Sequence, residues 1–178
     1  MQHTELFLSL AEIAGVFVGF GTLIAVRSAG VSGRIEVGYT RGMVSFGVLT
    51  AVAALAPVTL SLYDLAEHQV WALSSAVVLV GLVVFVAAQA RTAEYRANLA
   101  AGIEATRARS RSRWPAVFDT VASVSYMIAV VLAPIVIVLG VAPELETALY
   151  FTVVVLILLG AAWLLLEIVF SQRLPESA

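Results

Sequence analysis

TALYFTVVVLILLGAAWLLLEIVF, Thr147 to Phe170, is a run of 24 residues with one charge, Glu167, near its end. At about 1.5 Å of rise per helical residue, it reaches through the roughly 30 Å of a bilayer's hydrocarbon core. Four further blocks of similar length and apolarity precede it, at about 6–26, 42–63, 70–90 and 117–140. The chain of 178 residues is 61% apolar and 12% charged. A soluble domain would carry roughly a quarter charged residues. The pattern predicts an all-α integral membrane protein of five transmembrane helices, one transmembrane domain over residues 1–178.

Charge in the gaps predicts the orientation. All ten basic residues are arginine. Arg27, Arg34 and Arg41 flank the first gap, Arg91, Arg96, Arg107, Arg109, Arg111 and Arg113 crowd the third, and Arg173 lies in the tail. The second gap holds Asp64, Glu67 and His68, and the fourth holds Glu144 and Glu146. By the positive-inside bias the first and third gaps are cytoplasmic, the N-terminus is outside and the C-terminus inside. Lysine-free, Ala/Val/Arg-rich usage suggests a bacterial protein, so the expected location is a cell inner membrane, multi-pass. The first block is expected to stay as a span, not a cleaved signal: Met1 to Glu5 lack a basic region and Glu12 interrupts the apolar stretch.

Aromatic residues sit at several expected interfaces: Tyr63 and Trp71 around the second gap, Trp114 before the fourth span and Tyr150 at the start of the fifth. Trp163, within a span, reads as a lipid-facing or packing residue. In the third gap Tyr95, Leu99 and Ile103 fall at i, i+4, i+8, which predicts a cytoplasmic basic helical extension over about 91–113. Leu55-Ala56-Pro57 and Leu132-Ala133-Pro134 repeat at an offset of 77, and the same shift carries Val70 to Thr147. That is the pattern of two parallel hairpins after a leading helix. Each proline lacks an N–H, so the carbonyls of Ala53 and Val130 need another donor.

Glu12 is the most pointed residue. It lies about six residues, roughly 9 Å, inside its span, where a carboxylate is expensive unless neutralised, paired or hydrated. Glu12, Gly15 and Gly19 share a helix face, and Gly15-xxx-Gly19, extended by Ala11, lets another helix approach closely. The face is expected to lie in a helix–helix contact, at about the depth of Pro57 and Pro134. One reading makes these residues part of a cation or proton path. The other makes Glu12 structural, hydrogen-bonded to Ser74, Ser75 or Thr59.

At the cytoplasmic ends Arg27, Arg91, Asp119 and Glu167, with Gln89 nearby, are expected to form a charge belt in which arginines neutralise acids. The run Arg107, Arg109, Arg111, Arg113 is a topology determinant that also suits anionic lipid headgroups or an acidic partner. No aromatic residues interleave it, so no nucleic acid is expected. His3 and His68 lack metal-ligand spacing, so no metal site is expected, and no cofactor. No Gly-x-Ser-x-Gly elbow, phosphate-binding glycine loop or His-Glu-x-x-His pair occurs, so an enzyme is not expected. Two functional expectations remain. The first is a homo-oligomeric channel or transporter for cations or protons with Glu12 in its path. The second is a non-transporting scaffold that binds a cytoplasmic partner or anionic lipid through its Arg-rich loop.

Overall fold

The structure is a computed structural model that describes residues 4–28, 34–91 and 113–171. All regular elements among the described residues are helical. They are α1 (Thr4–Ser28), α2 (Arg34–Leu60), α3 (Glu67–Ala90), α4 (Arg113–Val138), a 3-10 turn (Pro143–Leu145) and α5 (Glu146–Ser171). Four stretches are long and apolar enough to cross a membrane: Thr4–Arg27, Thr40–Leu60, Glu67–Ala88 and Pro143–Leu166. In α4 the apolar stretch among the described residues, Val124–Val138, is shorter. The chain is therefore that of a helical membrane protein. Its surface agrees, with Leu23, Val26, Val80, Val83, Val84, Leu159 and Trp163 all more than half exposed, far more apolar surface than a soluble monomer leaves open. The Tyr95–Ile103 extension lies outside the described residues.

Local chemistry explains the helix ends. α1 opens with Glu5 in its first turn and closes with Arg27 in its last, each complementing the helix dipole. α4 ends at Gly140, whose φ of +63° suits a residue without Cβ. There the Gly140 N–H donates to Ile137 and the Val141 N–H to Val136, a Schellman ending that satisfies the last carbonyls. After α2 the chain turns through Asp64 at φ +38°, a left-handed position that a short polar side chain tolerates.

α1 packs chiefly on α2, α2 also on α3 and α5, and α4 on α3 and α5. α1 and α2 meet closely. A Cβ on Gly47 would lie 2.8 Å from Val18 Cγ2 and 3.3 Å from the Ala14 carbonyl oxygen, and one on Gly21 would strike Val44 and Met43. The face α1 presents to its neighbour is thus Ala14, Val18 and Gly21. A core of Phe7, Leu49, Ala53, Trp71, Val78, Val130, Tyr150, Val153 and Ile157 runs between the helices. At its end nearest the 61–66 and 139–145 connections, the Phe7 ring stands 6.0 Å from both Trp71 and Tyr150, which are 5.6 Å apart. Trp71 (3% exposed) and Tyr150 (0%) are therefore core residues and not interfacial anchors; their rings bury more apolar area against each other than a headgroup position offers. Tyr63 and Trp163 are exposed, as expected.

Candidate functional site: an open acidic face and a buried polar seam

Among the described residues, the face of α1 that carries Glu12 is uncovered. Glu12 and both glycines are exposed, and a Cβ built on Gly15 or Gly19 meets nothing within 4 Å. Among the described residues no helix occupies the contact expected there. The physical reason lies in α1 itself, which carries two small-residue stripes; the Ala14–Gly21 stripe takes the intrachain contact. Glu12 makes no hydrogen bond or ion pair among the described residues. Its expected structural partners are otherwise disposed: Thr59 Oγ1 donates to the Leu55 carbonyl, and the Ser74 and Ser75 hydroxyls are buried without a hydrogen-bond partner among the described residues.

Pro57 and Pro134 are both buried. The Ala53 carbonyl, which Pro57 deprives of its helical donor, is satisfied from across the bundle: the Tyr150 hydroxyl of α5 donates to it at 2.6 Å, 97 residues away in sequence. The need for a donor was legible from proline chemistry, but the donor was not, because Tyr150 sits one turn into its span where an anchoring tyrosine would also sit. The 77-residue offset places Leu73, not a tyrosine, opposite Tyr150, so this bond has no counterpart at Pro134 by the repeat.

A second polar contact joins the two acidic connections. His68, at the start of α3, and Glu146, at the start of α5, approach to 2.6 Å between Nδ1 and Oε1. Their side chains are 48% and 3% exposed, so the carboxyl is sheltered while the imidazole lies across its mouth. Gly140 makes room: a Cβ there would lie 3.2 Å from the imidazole Cε1. By sequence alone His68 lacks metal-ligand spacing and Glu146 is one of two acids in the fourth gap. The available signal was the repeat, which lays residue 69 on 146 and so brings the two connections to one end. On α5 Glu146 and Tyr150 are one turn apart, and on α3 the half-exposed His68 leads into the buried Trp71, Ser74 and Ser75. Ser74 lies beside the Tyr150 hydroxyl without a well-formed bond, and Trp71 Nε1 has no acceptor. Four threonines elsewhere, Thr22, Thr50, Thr59 and Thr152, return their hydroxyls to the carbonyl four residues back. Ser74 and Ser75 do not, and buried donors of this kind recruit ordered water.

The expected charge belt falls partly outside the described residues. Arg27 and Arg91 are exposed, while the side chains of Asp119, Glu167 and Gln89 lie outside the described residues. So do Arg107, Arg109 and Arg111 and the Arg113 side chain. Among the described residues no cluster of three or more His, Cys, Asp or Glu suits a metal ion. Comparison with known protein families, with characterised proteins and with solved structures finds no match to this chain.

Proposed function

We infer that the chain is a five-span inner-membrane protein, N-terminus outside and C-terminus cytoplasmic, that assembles with copies of itself and passes cations or protons. The uncovered Glu12–Gly15–Gly19 face carries this reading. A carboxylate within the hydrocarbon layer faces protein or water, since acyl chains offer it no hydrogen bond. The described residues supply no partner at that face. Two glycines beside the carboxyl let a second copy come close, which places Glu12 on a path formed between copies. The Tyr150–Ala53 bond and the His68–Glu146 pair hold the bundle together at the same end, so the face is presented on a rigid support. That end carries Glu5, Asp64, Glu67 and Glu144 as well, all exposed, and no arginine, a charge balance that concentrates cations at the entrance.

The test is flux in liposomes. Purified protein passes a monovalent cation or protons, and Glu12→Gln abolishes the flux while the assembly keeps its mass. A folded, oligomeric protein silent to protons and to every common cation ends the transport reading. In that case capture of a cytoplasmic partner through Arg107, Arg109, Arg111 and Arg113 becomes the measurement to make, with their glutamine variants as the control.

A further inference from the structure

α3 packs on α2 and α4, and α4 packs on α5, but α3 and α5 meet each other directly over only a short stretch. At the end of the bundle bearing the 61–66 and 139–145 connections, two contacts join them. The Trp71 and Tyr150 rings stand 5.6 Å apart, and one turn nearer the end His68 Nδ1 approaches Glu146 Oε1 to 2.6 Å. The Tyr150 hydroxyl ties the Ala53 carbonyl of α2 to the same place.

The His68–Glu146 pair is asymmetric. The carboxyl is sheltered and the imidazole half exposed, so the ring exchanges protons with water while its partner is held within the protein. An ionised carboxylate only accepts hydrogen bonds, so the proton of the contact sits on Nδ1. Nε2 is then the nitrogen that gains or loses a proton. With Nε2 bare, the imidazole is neutral and leaves the charge of a nearly buried carboxylate unbalanced. With Nε2 protonated, the imidazolium balances that charge and the same contact becomes an ion pair. Gly140, at φ +63°, gives the ring its place: a Cβ there would lie 3.2 Å from Cε1 and 3.5 Å from Nε2. The other titratable groups at this end are Glu67 on α3, Tyr63 and Asp64 in the connection before it, Glu144 in the 3-10 turn, Tyr150 on α5 and Glu5 on α1. The last turns of α2 and α4 bring none. The exposed carboxylates carry the same charge as Glu146, so among the described residues His68 is the cation within its reach.

We propose that His68 and Glu146 form a proton-operated latch between the starts of α3 and α5. It closes when the imidazole takes a proton from water and loosens when the imidazole gives it up. The sign follows from charge. Below the ordinary histidine value of about 6.5 the latch is at full strength, and it weakens as pH rises above that value. Loosened, α3 and α5 part at this end, because over the rest of its length α3 rests on α2 and α4. The latch lies within one chain, so it stands whether or not copies assemble or pass ions.

The chain has two histidines and no cysteine. His3→Gln therefore leaves His68 as the one imidazole, and spin labels attach only at introduced cysteines. Leu73→Cys on α3 and Leu145→Cys just before α5, both at exposed positions, carry the labels. In this parent the distance between labels lengthens or broadens from about pH 5.5 to about pH 8, on either side of the histidine value. The unfolding equilibrium in mixed micelles shifts about fivefold toward the unfolded chain over the same interval, a figure discounted for the half-exposed imidazole. Added His68→Gln, whose amide does not titrate, removes both responses. Added His68→Arg, charged at both pH values, holds the short distance at both. Nitrogen NMR of the imidazole finds Nδ1 protonated throughout. A parent without a pH response overturns the latch, as does a response that survives His68→Gln and so belongs to the carboxylates. A neutral imidazole protonated at Nε2 overturns it too. If the arginine variant does not fold, His68→Gln and the NMR signature decide.

Discussion

Replacing Tyr150 by phenylalanine removes one hydroxyl and leaves the aromatic packing against Phe7 and Trp71 in place. The hydroxyl donates at 2.6 Å to the Ala53 carbonyl. That carbonyl has no helical donor, because residue 57 is proline. Leaving a buried acceptor unsatisfied costs about 1–3 kcal/mol. Interhelical bonds in membranes average only about 0.6 kcal/mol with a ceiling near 1.7, because the unfolded chain in lipid finds other partners. Because this carbonyl is buried and proline has removed its helical donor, the upper part of that range applies: about 1.5 kcal/mol, roughly a tenfold shift in the folding equilibrium. The decisive measurement is a cycle with Pro57→Ala. Alanine restores an N–H four residues after Ala53, so Tyr150→Phe in that background should fall to about 0.5 kcal/mol. Reversible unfolding in mixed micelles of SDS and a mild detergent reads all four proteins. An equal loss in both backgrounds refutes the idea that the tyrosine stands in for the missing helical donor.

Glycine substitutions separate the two faces of α1. Gly47→Ala should destabilise the monomer by about 1–3 kcal/mol, because its Cβ meets Val18 and the Ala14 backbone. Gly15→Ala and Gly19→Ala should leave monomer stability unchanged and weaken only self-association, read by unfolding and by native mass on the same samples. His68→Ala strips a nearly buried carboxyl of its partner and should cost about 1–2 kcal/mol, at the low end for a charged group because the imidazole is half exposed. Adding Glu146→Ala should recover part of that loss. A double variant no more stable than His68→Ala argues against coupling between the two side chains.

Helices and their connections were legible in the chain because bilayer thickness constrains length: each apolar block had to be a helix, and each polar gap a connection. The demand created by Pro57 was equally legible, since a missing N–H is a property of the residue. Contact faces were not. In a soluble helix the polar side marks what faces away, whereas α1 is apolar over most of its surface and offers two small-residue stripes. Residue type alone cannot rank the Ala14–Gly21 stripe above Gly15–Gly19, because acyl chains and neighbouring helices suit the same side chains. Glu12 lies in a stretch long and apolar enough to span a membrane, and its surroundings depended on that ranking.

Long-range polar pairings were the other part that local pattern did not reach. Tyr150 with Ala53 and His68 with Glu146 join residues 97 and 78 apart, and each partner has an ordinary local explanation as an anchor or a rim charge. Composition and spacing by themselves determined a helical membrane protein and the places where its chain turns. Only the packing of five helices decided which stripe of α1 is spent inside the chain and which acid finds a histidine. Those choices follow from the shape of neighbouring surfaces, and shape exists only once the helices are side by side.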